Sequence, residues 1–79
     1  SHQRKLDRVI DAIKVAAKPI TISDISKHMY HDVHGYDILL ALEEVGAHVE
    51  YLYEHGYLAV CNLDQVEREN NPALQYGLV

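Results

Sequence analysis

One long segment, YDILLALEEVGAHVEYLYEHG, constrains the fold of this chain more than any other. Its apolar residues recur at helical spacing over about five turns, which predicts an amphipathic helix. Gly56 is the expected end of this helix, because glycine readily takes the left-handed conformation found just beyond a helix. The residues predicted to line the core-facing stripe are Leu39, Leu42, Val45, Gly46, Val49, Leu52 and Tyr53.

Two shorter helices are predicted ahead of this segment. In RKLDRVIDAIKVAAK, apolar residues recur at three- and four-residue spacing, so a first amphipathic helix is expected to end near Lys18, before Pro19. In ITISDISKHMY, Thr21 and Asp24 have the spacing of a capping box, in which each side chain accepts a hydrogen bond from the other residue's backbone. A second helix is therefore expected over about residues 22–30.

Gly46 lies inside the long helix, where glycine costs about 1 kcal/mol relative to alanine. Two explanations are open at the level of sequence. Another helix can approach closely at Gly46 and compensate for this cost, or the long helix can break or kink there.

The C-terminal third predicts a β-hairpin. YLAVCNL is rich in strand formers, QYGLV can pair back on it, and Asn70, Asn71 and Pro72 between them favour a turn. A short strand near residues 19–21 can add to this pair. Three helices followed by a two-stranded wing define an α+β winged helix, and 79 residues suit a single domain over residues 1–79.

Charge is divided unevenly along the chain. Residues 1–27 hold six Lys and Arg against three Asp and Glu, net +3, whereas residues 28–79 hold Arg68 against nine acids, net −8. DNA-binding winged helices place the third helix in the major groove, and Lys and Arg contacts to phosphates dominate their affinity. Here the third helix and the wing are acidic, which argues against duplex DNA. The acidic residues concerned are Glu43, Glu44, Glu50, Glu54, Asp64, Glu67 and Glu69.

The first helix leaves one nucleic-acid alternative open. Its basic residues Arg4, Lys5, Arg8 and Lys14 could contact phosphates, although a run of this kind is more often a solvated helix face.

The segment HMYHDVHGYD, residues 28–37, has the composition of a zinc site. Its order lacks the adjacent His-x-His pair of a hydrolase metal motif, and a helix end followed by a glycine turn also collects His and Asp. We therefore expect His28, His31 and His34 to lie near the surface between the second and third helices. The chain shows no nucleophile arrangement or phosphate loop, so we expect no catalysis, metal or cofactor in it.

Three further expectations concern cellular context. Cys61 cannot form an internal disulfide, and its apolar surroundings predict a buried, inert thiol within a strand. The chain has neither a membrane-length apolar run of roughly 20 residues nor a signal peptide, so a cytoplasmic protein is expected. Because Met29 is the one methionine, we expect the chain to be part of a longer protein.

The run LLALEEVGAHVEYLYEHGYL, residues 39–58, taken with RKLDRVIDAI and TISDISKHMY, resembles the C-terminal winged-helix domain of metallo-β-lactamase-fold hydrolases. The relatives concerned are glyoxalase II-like and β-lactamase-like endoribonuclease proteins. Their domain opens with His and a basic residue three positions on, has a Thr-led second helix ending in an aromatic, and carries Ala-His-Leu-x-x-Leu in the third helix. Lys5 stands where Arg is usual, and Val49 where Leu is usual. The matching residues are His2, Lys5, Thr21, Tyr30, Ala47, His48, Val49 and Leu52.

The resemblance implies a non-catalytic accessory domain. In such proteins, zinc or iron ligands and the catalytic water belong to an upstream domain of the same polypeptide, and the winged helix packs beside it and can border the substrate entrance. His48 and Tyr51, on a different face from the core stripe, are the predicted contacts with that domain or entrance. The alternatives are a DNA-binding regulator and a protein-interaction winged helix whose acidic third helix contacts a basic partner.

Overall fold

A computed structural model describes residues 2–79, without the side chain of His2. Over this range the chain is α+β, with four helices and one three-stranded antiparallel sheet. In chain order the elements are α1 (His2–Ala16), β1 (Ile20–Thr21), α2 (Ile22–Met29), α3 (Tyr36–Glu54), β2 (Leu58–Val60), α4 (Leu63–Arg68) and β3 (Gln75–Leu78).

The first two helices end within two residues of the predicted positions, and α2 begins at its predicted capping box. α1 gives way to Ala17, whose backbone has a φ of 57°, shortly before Pro19. The capping box at the start of α2 is confirmed, because the Asp24 N–H donates to Thr21 Oγ1 at 3.1 Å and the Thr21 N–H donates to Asp24 Oδ2 at 3.2 Å. These hydrogen bonds lower the pKa of the Asp24 carboxyl below its usual range.

α3 runs without interruption from Tyr36 to Glu54. Gly56, two residues beyond the last helical residue, has a φ of 82°, and the N–H of Tyr57 donates to the carbonyl of Leu52 at 2.9 Å. This hydrogen bond and the left-handed glycine form a Schellman-type helix end. The helix does not break at Gly46, and an added Cβ there would make an ordinary contact, 3.9 Å from Ile22 Cδ1 of α2.

The predicted core stripe of α3 is only partly correct. Val45, Val49 and Leu52 are buried, but Leu39 is 59% exposed and Tyr53 is 48% exposed. Residues 36–40 are all exposed, so the first turn of α3 extends beyond the elements that cover its later turns. The core that α3 joins is almost entirely aliphatic. Its buried members are Leu6, Val9, Ala12, Ile13, Ile20, Ile25, Met29, Val45, Val49, Leu52, Leu58 and Tyr76.

The sheet has three strands in the order β1-β3-β2, rather than the two predicted for the wing. β1 occupies the position suggested for a short strand near residues 19–21. β3 is central, and Tyr76 lies opposite Ile20 on one side and Val60 on the other. β1, which directly precedes α2, therefore joins the β2–β3 pair to the helical part of the molecule.

The connection between β2 and β3 contains α4, where the sequence predicted strand and turn. β2 ends at Val60, and the buried Asn62 side chain then holds the connection together. Asn62 Nδ2 donates to the carbonyl of Ala73 at 2.9 Å and to Gln65 Oε1 at 3.0 Å, and the Gln75 N–H donates to Asn62 Oδ1 at 2.9 Å. Because one side chain satisfies these groups, the residues after Asn62 turn into a helix instead of continuing the strand.

The prediction of a buried Cys61 within a strand is wrong. Cys61 is exposed and lies one residue beyond β2. Its backbone N–H still donates to the carbonyl of Gln75 at 2.8 Å, and its Sγ lies 3.5 Å from the carbonyl oxygen of Ala59.

Across residues 2–79, none of the helices combines the length and apolar character that a bilayer crossing requires. The cytoplasmic location stays a prediction.

Candidate functional site

Four polar side chains from three helices meet at one place, which we term the junction cluster: Lys5, Arg8, Tyr30 and Glu44. α1 supplies Lys5 and Arg8, which lie three residues apart and therefore on neighbouring parts of one helix face. Tyr30 is the C-terminal cap of α2, and Glu44 lies near the middle of α3.

Glu44 is the centre of the junction cluster. The Tyr30 hydroxyl donates a short hydrogen bond to Glu44 Oε1. Lys5 Nζ lies 3.0 Å from the other carboxylate oxygen, Oε2. Each oxygen of the carboxylate therefore has its own donor, and the two donors come from different helices.

Arg8 joins α1 to the end of α2. Its Nη2 donates to the carbonyl of Met29 at 2.7 Å, so the guanidinium satisfies a carbonyl at the C-terminus of a helix, where intrahelical donors are absent. The same guanidinium lies over the ring of Tyr30, with its Cζ 5.4 Å from the ring centroid, a cation–π geometry. The aromatic ring is thus held from one side while its hydroxyl contacts Glu44.

Contacts within the junction cluster shift the pKa values of three of its members, and each shift favours the form that makes these contacts. The hydrogen bond from Tyr30, followed by that from Lys5, lowers the pKa of Glu44 below its usual range. Hydrogen bonding to Glu44 raises the pKa of Tyr30, with burial adding to the effect, and it also raises the pKa of Lys5. At neutral pH the cluster therefore contains an ionised Glu44, a neutral Tyr30 and a charged Lys5, which suits ion pairing and hydrogen bonding.

His48, one of the two residues singled out from sequence, lies one helical turn after Glu44 on α3. Its Nδ1 is 2.6 Å from the carbonyl oxygen of Glu44. Because a carbonyl can only accept, Nδ1 carries the proton and donates in this hydrogen bond. The half-buried imidazole therefore has a set orientation beside the junction cluster.

Tyr51, the other residue singled out, is 40% exposed. Its ring stacks on that of His55, with centroids 4.0 Å apart and an interplanar angle of 24°. It also borders a cavity of about 230 Å³ between α1 and α3. The other residues that line this cavity are Gln3, Leu6, Asp7, Ile10, Leu52 and Tyr57. That His48 and Tyr51 contact another domain stays a prediction.

The histidine-rich segment runs from the last turn of α2 into the first turn of α3, as expected, and His28, His31 and His34 are exposed. The contact recorded there joins His31 Nε2 and Asp32 Oδ2, which are 3.6 Å apart and highly exposed. Within the described part of the chain, no three His, Cys, Asp or Glu side chains are grouped so that they could hold a metal ion.

Sequence reasoning identified Lys5 and Tyr30 through the family resemblance but gave Glu44 the wrong surroundings. Glu44 was counted among the acidic residues that would face a phosphate backbone, whereas its carboxylate is engaged by Tyr30 and Lys5. The sequence did contain a signal for the Lys5–Glu44 ion pair. Lys5 flanks the apolar stripe of α1, Glu44 flanks that of α3, and the two have opposite charge. His2 belongs to the same pattern, and its side chain lies outside the described residues. No family model, curated protein or solved structure matches this chain.

Proposed function

We propose that this chain is a winged-helix accessory domain of a metallo-β-lactamase-fold hydrolase, packed against an upstream catalytic domain of the same polypeptide. The observation that carries the proposal is the junction cluster. Lys5 and Tyr30 match the family pattern at separate places in the sequence, and both contact the Glu44 carboxylate. His48, a third match, lies one turn after Glu44 on the same helix and contacts its backbone carbonyl. Their convergence supports treating the resemblance as one structural unit rather than as scattered matches.

The order of the elements supports the winged-helix part of the proposal. Three helices, α1 to α3, come first, β1 lies between the first two, and β2 and β3 follow as an antiparallel pair. α4 then sits within the wing, between its two strands. Sheet order β1-β3-β2 joins the wing to the start of α2, which is how a winged helix holds its wing beside the helices.

Electrostatics favours a protein contact over duplex DNA. α3 contains no Lys or Arg, and Glu43, Glu50 and Glu54 on it are exposed. Phosphates would meet like charge along this helix. Lys5 and Arg8, two of the basic residues considered as nucleic-acid contacts, are engaged within the molecule by Glu44 and by the end of α2.

The proposed contact with the catalytic domain is the surface around His48 and Tyr51. His48 is oriented by the backbone of α3, and Tyr51 presents an exposed aromatic ring beside it, a residue type enriched at protein interfaces. In the full-length protein this surface would border the substrate entrance. The upstream domain would hold zinc or iron, which activates a water molecule for hydrolysis.

The experiment that tests the proposal uses the full-length product of the reading frame that contains this chain. We expect a His-x-His-x-Asp-His motif upstream of residue 1 and roughly one or two zinc or iron ions per chain by elemental analysis. A short, metal-free product without that motif would contradict the accessory-domain proposal.

Matched variants of the same full-length protein test the contact surface. Tyr51→Ala is expected to increase limited proteolysis between the domains, because it removes an aromatic contact. Tyr36→Ala is the control, since Tyr36 is an exposed tyrosine at the other end of the same helix, at 73% against 40%. Equal proteolysis of both variants would show that Tyr51 is not part of the interface. The metal content found by elemental analysis would not be affected by that outcome.

A second candidate function, a DNA-binding regulator, rests on the same order of helices and wing. It requires the acidic α3 to enter a groove lined with phosphates, and this requirement ranks it below the accessory domain. A third candidate, an interaction module for a basic partner, is compatible with the exposed carboxylates of α3.

A further inference from the structure

α3 carries an exposed line of residues on the side away from the core, which we term the outer seam. Its members alternate at spacings of four and three residues, the heptad spacing of helices that pack side by side. All of them are exposed. They are Tyr36, Leu40, Glu43, Ala47, Glu50 and Glu54.

The two halves of the outer seam differ in chemistry. In the first half, Tyr36 is 73% exposed and Leu40 is 47% exposed, with Leu39 beside them. The first half ends with the acidic Glu43, and in the second half Ala47 is followed by Glu50 and Glu54 at the same spacing. A helix face that is apolar while exposed, opposite a face that is already buried, is typical of a helix that contacts a partner.

The charge of the outer seam restricts the occupant. Residues 28–67 contain no Lys or Arg, so the carboxylates of the second half face solvent within an acidic region. Nucleic acid and anionic lipid would be repelled. A helix with basic side chains at one end would meet Glu50 and Glu54 with opposite charge and could place apolar side chains on Tyr36 and Leu40.

The α3 helix of a second copy does not fit the outer seam. If two copies of α3 paired in parallel, Glu50 and Glu54 would face the same carboxylates of the other copy. If they paired antiparallel, these carboxylates would lie against Tyr36 and Leu40 and lose their hydration. Both arrangements bury charge without a partner of opposite sign.

We propose that the outer seam of α3 binds an amphipathic helix of a second protein, apolar at one end and rich in Lys or Arg at the other. This interaction is separate from the proposed accessory function, whose contact with the catalytic domain is made through His48 and Tyr51.

The test is fluorescence anisotropy with synthetic helical peptides and the 79-residue chain. One labelled peptide has a leucine stripe at one end and lysines at the other, and a second has glutamates in place of the lysines. We expect the lysine peptide to bind at least about tenfold more tightly than the glutamate peptide. Equal binding of the two peptides, or binding of neither, would overturn the proposal.

Variants locate the binding site on the outer seam. Leu40→Ser should weaken the lysine peptide about tenfold, whereas Val15→Ser, at an exposed apolar residue of α1, should leave its binding unchanged. The double variant Glu50→Lys and Glu54→Lys should reverse the preference, so that the glutamate peptide binds more tightly. Circular dichroism of each variant confirms that it remains folded, as expected for exposed positions.

Two other outcomes would contradict the proposal. Equal loss of binding in the Leu40→Ser and Val15→Ser variants would show that the peptide does not use the outer seam. Sedimentation of the unmodified chain as a dimer that Leu40→Ser dissociates would show that the occupant is a second copy.

Discussion

Glu44 illustrates how one residue joins elements that are distant in sequence. Its carboxylate accepts from Tyr30 at the end of α2 and pairs with Lys5 on α1, while its own backbone belongs to α3. Hydrogen bonds to a charged group stabilise more than neutral ones, and a carboxylate with two separate donors satisfies much of its demand inside the protein. Removing its charge should therefore affect the packing of all three helices.

Glu44→Gln should weaken the fold in a pH-dependent way. Because the folded-state pKa of Glu44 lies below its ordinary value of 4.5, its stabilisation is present above pH 4.5 and is lost as the pH falls through the folded-state pKa. We expect the variant to lower the free energy of unfolding at pH 7 by about 0.5–1 kcal/mol, a range reduced for its partial exposure to solvent. Urea unfolding followed by circular dichroism at a series of pH values measures both effects.

Glu43→Gln is the control for this prediction, because Glu43 is the exposed neighbour of Glu44 on the same helix. It should leave the free energy of unfolding and its pH dependence unchanged. Some pH dependence should persist in every variant, since the pKa of Asp24 is also lowered in the folded state. An identical response of the two variants would show that the junction cluster contributes nothing.

Glycine is needed at position 77 because neighbouring side chains leave no room for a Cβ, and not because of its backbone conformation. A Cβ at this buried position in β3 would lie 2.8 Å from Cys61 Sγ and 3.5 Å from Pro19 Cγ. Gly77→Ala should therefore lower the free energy of unfolding by about 1–3 kcal/mol through overpacking. Adding Cys61→Ala removes the sulfur and should restore most of that loss, whereas an additive double variant in thermal unfolding would exclude the Cys61 contact as the cause.

At the scale of elements, α3 shows a limit of periodicity. Helical spacing predicted its start near Tyr36 and its end before Gly56, and both are observed. The same spacing placed Leu39 in the core, but α1 and α2 cover only the later turns, so Leu39 is exposed. Periodicity reports which residues share a face of a helix, and the neighbouring elements decide which turns of that face are buried.

Gly46→Ala should stabilise α3. The position is helical, and an added Cβ would make an ordinary contact with Ile22, so alanine gains helix propensity without a clash. We expect the free energy of unfolding to rise by about 0.5–1 kcal/mol in urea titrations. Gly56→Ala is the contrasting variant, because Gly56 has a φ of 82° and should be destabilised by a side chain. A destabilised Gly46→Ala variant would show that the glycine serves a packing role.

The connection from β2 to β3 depends on the Asn62 side chain. Asn62→Ala removes two donated hydrogen bonds and leaves the Gln75 N–H without its acceptor, so the free energy of unfolding should fall by about 1–3 kcal/mol. Amide hydrogen exchange should accelerate at Gln75 before it changes in α1. Asn70→Ala, an exposed site in the same connection, is the control, and equal effects of the two variants would contradict the role of Asn62.

At the scale of the whole molecule, the division of charge determines which partners can approach. The acidic C-terminal part contains α3 and the β2–β3 pair, while two basic residues of α1, Lys5 and Arg8, make internal contacts. A large body of like charge repels polyanions over roughly a Debye length at physiological salt. The molecule as a whole therefore favours cationic protein surfaces.

Titration with random-sequence duplex DNA checks this conclusion. We expect no binding at about 50 mM salt, a low concentration at which contacts to phosphates are stronger than at physiological salt. The charge-reversed double variant Glu50→Lys and Glu54→Lys is the comparison, because it should bind DNA more tightly than the unmodified chain. Binding of the unmodified chain that weakens as salt is added would instead support the DNA-binding regulator.

The sequence by itself determined the features that depend on neighbouring residues. Helix boundaries follow from Pro19, the Thr21–Asp24 capping box and Gly56, because proline, capping side chains and glycine act on the backbone within a few residues. The strand formers of the C-terminal third likewise predicted β2 and β3. The acidic character of α3 follows from the residues of its segment alone.

Only the tertiary structure decided which distant groups meet. The pairing of Lys5 and Tyr30 with Glu44 depends on how the three helices pack. α4 was not predicted from the sequence either. The buried Asn62 amide that precedes it has hydrogen-bond partners up to 13 residues away. Local propensity is set within a few residues of the chain, whereas burial and long-range hydrogen bonds exist only once the elements are assembled.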